Sequence, residues 1–256
     1  MGATAPPELI AETTTPMNHD QSLAGRIALV TGATRGIGRA SALALAQAGA
    51  HVIAVGRTQG ALEDLDDEIR SVASPPPTLV PMDLTDGGAI DQLGLAIFER
   101  HKRLDILVHG AGALGGLRPV AHVPPTVWDM ILATNLTSAY RLIRSLEPLL
   151  RASDRGRAIF LTDAAARNEE PFWGAYAASK AALEALVRAW ASEVSLSPLR
   201  AILADPGPTR TKLRAQAFPG EDPKDLASPS EIGRLIANLA GSVDPGPPTT
   251  VIELRS

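Results

Sequence analysis

Tyr176 and Lys180 stand four residues apart in the stretch AYAASKAAL, so on a helix they share a face. A phenol beside an ammonium is suited to moving a proton at an oxygen. A carbonyl being reduced takes hydride on carbon and a proton on oxygen; a phenol placed at that oxygen gives the proton, or removes it in the reverse direction. A free phenol, with a pKa of about 10, holds its proton too tightly for efficient exchange at neutral pH. A neighbouring ammonium favours the phenolate and is expected to lower that value.

A second constellation lies near the start of the chain. Thr31-Gly32-Ala33-Thr34-Arg35-Gly36-Ile37-Gly38 joins an apolar run to an alanine- and leucine-rich run. One glycine at a strand exit allows a tight turn, another lets backbone approach a pyrophosphate, and a third lets strand and helix pack closely. The helix start then presents free N–H groups and a positive dipole end to the anion. Gly32, Thr34, Arg35, Gly36, Ile37 and Gly38 are therefore read as a dinucleotide-binding turn. The next apolar run ends Val55-Gly56-Arg57, with no carboxylate to take a ribose 2′-hydroxyl. Arg57, helped by Arg35, can instead pair with a 2′-phosphate. That predicts NADP(H), with NAD(H) as the alternative cofactor.

These groups need a scaffold. Short apolar runs at residues 26–30, 51–55, 78–82, 105–109, 157–161, 200–204 and 250–254 alternate with helical patterns at 39–48, 61–72, 90–103, 127–150, 176–195 and 230–240. Strict alternation of this kind predicts an α/β fold, a doubly wound parallel sheet of about seven strands with helices on both faces. Residues 212–228, polar and broken by proline, read as a lid over the substrate, and residues 113–125 as the opposite wall. Leu114, Phe172, Trp173 and Phe218 are the candidate pocket residues.

With the spacing G-x-x-x-G-x-G followed by Y-x-x-x-K, the chain resembles the short-chain dehydrogenase/reductase family, in its short single-domain branch, over nearly all its length from Leu23. The resemblance implies an oxidoreductase acting on a carbonyl/alcohol pair (a ketone or aldehyde reductase, or an alcohol dehydrogenase). It implies that Tyr176 and Lys180 also contact the cofactor, with Lys180 on the nicotinamide ribose. Asn135, in Thr134-Asn135-Leu136, matches the residue that holds a relay water. Asp83 and Leu84 fall where the adenine binds, although Asp83 can equally cap Thr85. Ala111 and Gly112 fall at the cofactor-facing exit of the fourth strand. Pro206 and Gly207, with Thr209 or Thr211, fall at the nicotinamide carboxamide or pyrophosphate.

Two positions depart from the family pattern. The expected Asn-Asn-Ala-Gly reads His109-Gly110-Ala111-Gly112, and His109 is taken as a structural histidine bonded to neighbouring backbone. The serine expected thirteen residues before Tyr176 is Asp163. Serine donates a hydrogen bond to a substrate carbonyl; a carboxylate only accepts, and it opposes a phenolate. Three outcomes stay open: a weakened or inactive site, replacement by Thr162, or a protonated Asp163 acting as donor. The main reading is a working reductase with Asp163 in the catalytic set. Its rivals are a cofactor-binding sensor or scaffold of little turnover, and an isomerase or dehydratase on the same fold.

Composition narrows the classes further. The chain has 256 residues and no cysteine, which excludes disulfides, thiolate-ligated zinc and a cysteine nucleophile. A formal net charge of −4 argues against a nucleic-acid partner. No apolar run has the length of a signal peptide or membrane span, so a cytoplasmic protein is expected, with no membrane partner. Residues 1–22 read as a disordered leader and 23–256 as one domain. The apolar face at Leu183, Leu186, Val187, Trp190 and Val194 packs on the sheet. Because helices at this place pair between subunits in the family, a homodimer or homotetramer is expected.

Overall fold

The structure is a computed structural model that describes residues 22–73, 75–243 and 250–255; the leader, but for Ser22, lies outside them. Seven strands form one sheet in the order β3-β2-β1-β4-β5-β6-β7, and every neighbouring pair is parallel. They are β1 (Ile27–Thr31), β2 (His51–Gly56), β3 (Thr78–Pro81), β4 (Ile106–His109), β5 (Arg157–Leu161), β6 (Arg200–Asp205) and β7 (Val251–Glu253). The doubly wound parallel sheet expected from the sequence is the architecture found.

The central strands are continuous apolar runs because both faces are covered. Ala28 and Val30 of β1 point into one core, with Leu45 of α1 (Gly36–Gln47), Leu65 of α2 (Gln59–Val72) and Ile236 of α8 (Pro229–Gly241). Ile27 and Leu29 point into the other, with Leu93 of α3 (Gly87–His101), Leu146 of α5 (Ser138–Arg151) and Leu183 of α6 (Gly174–Glu193). The topological switch falls between β1 and β4, where the chain leaves in opposite directions and a crevice opens at the strands' carboxyl ends.

Two elements differ from expectation. The predicted helix over 127–150 is α4 (Pro125–Leu132) and α5, joined by a π turn at Ala133–Thr137 that contains Asn135. Inserted residues of this kind carry no apolar-periodicity signature, so the pattern alone cannot show them. Within the expected lid, Thr211 accepts a hydrogen bond from the Arg214 N–H (3.1 Å) and caps a short helix, α7 (Lys212–Ala217).

Helix α1 carries the glycine turn at its start, and its seat depends on α8. A Cβ on Gly233 would fall 2.5 Å from the backbone carbonyl of Ala40. Gly233→Val must therefore push the two helices apart, at a cost of about 1–3 kcal/mol. The expected result is a lower denaturation midpoint with an unchanged slope; an unchanged midpoint would refute the close packing.

Candidate active site

The glycine turn is shaped by contacts that exclude side chains. Gly32 leaves β1 at φ +69, and a Cβ there would lie 2.9 Å from the Ala111 backbone nitrogen. A Cβ on Gly38 would lie 2.3 Å from the Gly32 carbonyl oxygen. The exits of β1 and β4 and the start of α1 are thus pressed together. No side chain caps α1, since Arg35 at the cap position makes no such bond, so the first N–H groups remain free for an anion. Thr34 lies against Gly56, whose Cβ would fall 2.4 Å from the Thr34 methyl carbon, while Ile37 packs into the core. The methyl of Thr211 lies over Gly36. Thr209 instead turns its hydroxyl back onto the Gly207 carbonyl (3.0 Å), so Thr211 is the threonine the structure brings to the turn.

Arg35 is exposed, and Arg57 lies at the mouth with its guanidinium 3.8 Å from Asp83. The other Asp83 oxygen accepts from both the N–H and the hydroxyl of Thr85, each at 2.9 Å. The capping role is therefore present; those bonds, and then Arg57, hold the Asp83 carboxyl below its ordinary pKa. Leu84 is buried in the second core. A backbone cradle closed to side chains, an open helix start with Arg35 at its cap position and Arg57 at the end of β2 fit a phosphorylated dinucleotide.

The reacting groups meet at the ends of β4, β5 and β6. Helix α6 brings Tyr176 and Lys180 onto one face, as their spacing predicts. The Lys180 ammonium is buried and donates to the Leu161 carbonyl at 2.9 Å. Burial pushes its pKa down to about 8, against the pull of the carboxylates of Asp163, Asp205 and Glu184. A Cβ on Gly112 would stand 3.9 Å from that ammonium and 3.8 Å from the Asn135 side-chain oxygen, so the β4 exit opens directly onto the pair. Both amide hydrogens of Asn135 are used. Its oxygen accepts from Ala113 N–H (2.8 Å), and its amide donates to the Ala113 carbonyl (3.0 Å) and to the Ser179 hydroxyl (2.9 Å). Ser179, which sequence reasoning passed over, in turn donates to the Tyr176 carbonyl.

Asp163 leaves β5 and points at the tyrosine. The Tyr176 hydroxyl donates to one Asp163 oxygen at 3.2 Å, and the other accepts from the Ala165 N–H at 2.9 Å. The expectation that Lys180 lowers the phenol's pKa is reversed. Tyr176 is held well above its ordinary value, by burial first and then by the Asp163 carboxylate. Replacement by Thr162 is also excluded, because its hydroxyl donates to Glu184 at 2.6 Å, inside the protein. Glu184 and Asp205 are both bridged by Arg167, and Arg188 adds a second bond to Glu184. Sequence reasoning missed this cluster. Its signal is Glu184 itself, a carboxylate four residues after Lys180 on an otherwise apolar face.

His109 is buried, but its partners are hydroxyls and not backbone: Thr31 at 2.9 Å and Ser138 at 3.4 Å. Burial and the nearby Lys180 push its pKa from 6.5 down to about 3, so it stays neutral. Above Tyr176, Trp173 stands 5.7 Å from the Tyr176 ring and 5.6 Å from Phe218, with Leu114 buried beside them. Phe172 is the exception among the expected pocket residues. It is 57% exposed, at φ +75, and lies outside this cluster.

The family model described as short chain dehydrogenase matches residues 26–222. The chain belongs to the short-chain dehydrogenase family. It is 38% identical over 218 residues to the oxidoreductase YciK of Escherichia coli (strain K12), covering 84% of this chain and 86% of that protein. A short chain dehydrogenase of Shigella flexneri 2a complexed with NADP superposes with a TM-score of 0.88 at 35% identity, over 92% of this chain and 99% of that one. A short chain dehydrogenase of Escherichia coli CFT073 complexed with NADPH gives the same values: 0.88, 35%, 92% and 99%. No helix among the described residues is long and apolar enough to cross a membrane.

Two measurements test the electrostatics of this short-chain dehydrogenase. The chain has two tyrosines, so a Tyr140→Phe background leaves Tyr176 alone. In it, Asp163→Ser lowers the pH of phenol ionisation by about one unit or more, read by ultraviolet absorbance; an unchanged titration would show that Asp163 does not govern the phenol. Folded His109 stays neutral down to about pH 3, whereas an unfolded histidine takes a proton below 6.5. The unfolded state therefore binds more protons between these values, and stability is lost as the pH drops through that window. Between pH 7 and 5, His109→Asn should lose about 2 kcal/mol less stability than the parent by denaturant unfolding. Parallel losses would refute a buried neutral His109.

Proposed function

We propose that the chain is an NADP(H)-preferring oxidoreductase that passes hydride between nicotinamide and a carbonyl/alcohol substrate. The observation that carries this reading is the Tyr176–Lys180 pair, which opens past Gly112 toward the glycine cradle. Arg35 and Arg57 at the mouth, and the NADP and NADPH complexes of the similar proteins, support the phosphorylated cofactor over NAD(H).

In this reading Gly32, Gly36 and Gly38 keep the pyrophosphate against bare backbone at the start of α1. Arg57 and Arg35 take the 2′-phosphate, Asp83 and Leu84 flank the adenine, and Ala111, Gly112, Pro206, Gly207 and Thr211 line the nicotinamide side. When bound, the dinucleotide supplies or accepts the hydride. Tyr176 gives the substrate oxygen its proton on reduction and removes it on oxidation. Lys180 holds the nicotinamide ribose and offsets charge on the phenolate. Asn135 fixes the β4 exit at Ala113 and, through Ser179, the first turn of α6. We further read the protein as a cytoplasmic homodimer or homotetramer with no nucleic-acid or membrane partner. Exposed Trp128, Met130 and Tyr140 on α4 and α5 support association of subunits.

A second reading, a cofactor-binding protein of little turnover, is favoured by one observation: the Tyr176 hydroxyl is bonded to a carboxylate. NADPH and NADH titrations with a panel of neutral and amine-bearing ketones and aldehydes separate the two. The expected result is tighter NADPH binding with turnover on some member of the panel. Arg57→Ala should weaken NADPH about tenfold and leave NADH unchanged. Equal losses for both cofactors would refute the role of Arg57, and tight NADPH binding with no turnover would establish the second reading.

A further inference from the structure

The carboxylate that looks like a defect is arranged as a receptor. Three carboxylates, Asp163, Glu184 and Asp205, surround Lys180. Arg167 bridges Glu184 and Asp205, and Arg188 also pairs with Glu184, so two guanidiniums offset these two carboxylates. Asp163 makes no ion pair with a guanidinium among the described residues, and it is partly exposed. The oxygen it offers to Tyr176 lies 3.2 Å from the phenol oxygen, a span like that between nitrogen and oxygen on adjacent carbons. Aromatic residues are only 4% of this chain, yet Trp173, Tyr176 and Phe218 are gathered here. Rings beside a carboxylate are the surroundings that bind an ammonium. One ring already holds a cation: the Arg214 guanidinium lies 3.8 Å from the Phe218 ring centre.

We propose that the substrate is an amino ketone, or the matching amino alcohol, whose ammonium on the carbon next to the reacting one is held by Asp163. This rests on the carbonyl/alcohol reading above and names its substrate class. The ammonium donates to Asp163 in place of the Tyr176 hydroxyl, which turns to the carbonyl oxygen. The carbonyl carbon gains the hydride of a reduced nicotinamide dinucleotide, the C=O π bond breaks, and its oxygen takes the Tyr176 proton. The amino alcohol and the oxidised dinucleotide leave, and solvent returns a proton to the phenolate. While bound, the ammonium cancels the charge that opposes that phenolate. A neutral ketone leaves the charge in place and faces an acceptor where it needs a donor.

The test uses binding as well as turnover, on the full chain with NADPH. Phenylethanolamine and phenylethanediol serve as product-side probes, with binding followed by intrinsic tryptophan fluorescence; phenacylamine and acetophenone serve as substrates. Asp163→Ser and Asp163→Asn are the variants, since both side chains can still cap the turn at Ala165. The parent should bind the amine about tenfold more tightly than the diol and prefer phenacylamine by a similar factor, and both variants should lose these preferences. Asp163→Ser should also gain on acetophenone. Equal binding of amine and diol by the parent, or a preference that survives both variants, would overturn the proposal. Reduction of acetophenone by the parent alongside equal binding would leave the carbonyl reading standing without it. Failure of parent and variants alike to reduce any ketone while binding NADPH would overturn both.

Discussion

The buried ammonium of Lys180 is the constraint around which the rest of the site is arranged. An ammonium removed from water must be hydrogen-bonded and faced by opposite charge, or lose its proton. Here one carbonyl, Leu161, takes a direct bond, and three carboxylates supply the field. Those carboxylates create the next difficulty, since they crowd one another at the ends of β5 and β6. Arg167 resolves most of it by bridging Glu184 and Asp205, and Arg188 and Thr162 complete the shell of Glu184. What remains is Asp163, one oxygen of which takes the phenol of Tyr176. The unusual state of the tyrosine thus follows from how the lysine is buried.

The same pressure for close approach shapes the cofactor side. Gly38 touches the Gly32 carbonyl and Gly32 touches Ala111, so the exits of β1 and β4 form one piece of backbone. The β4 exit is then fastened to the helices of the far face by Asn135, whose amide grips the N–H and the carbonyl of Ala113 and the Ser179 hydroxyl. The π turn around Asn135 sets this residue into the interior in the middle of an otherwise continuous helical run. His109 completes the joint by bonding Thr31 of β1 and Ser138 of α5. It has hydroxyl partners on both ring nitrogens and stays uncharged beside Lys180.

Much of this was legible in the sequence because its causes are local. A strand buried on both faces must be apolar throughout, which is why β1, β2, β4, β5 and β6 stood out. The glycine turn and the i, i+4 spacing of Tyr176 and Lys180 needed only geometry within one element. The family pattern drew attention to Asn135 and Asp163, both of which stand near the Tyr176–Lys180 pair. What was hidden depends on partners distant in the chain. The net effect on the Tyr176 phenol could not be read from Lys180 alone, since burial and Asp163 outweigh it. The commitment of Thr162 to Glu184 is a contact between β5 and α6. The six-residue helix α7 is set by the Thr211 cap and not by apolar periodicity.

The scarcity of aromatic side chains acquires meaning only in three dimensions. Scattered rings would merely fill the core, as Phe160 does against Trp190. Trp173 instead bridges Tyr176 of the catalytic helix and Phe218 just beyond α7. Arg214 covers Phe218 and is itself held by a two-bond pair with Glu221, each bond 2.6 Å. That segment is held by the ring stack, by this half-buried ion pair, and by partly buried Leu213 and Ala217 against the cluster of Leu114 and Tyr176. The floor of the pocket, by contrast, is fixed by buried hydrogen bonds at Asn135, Lys180 and Glu184. A rigid floor keeps Lys180 and Asn135 in place while the Tyr176 phenol is free to exchange its partner. Asp163, which belongs to neither network of bridged charges, stands partly exposed beside that phenol.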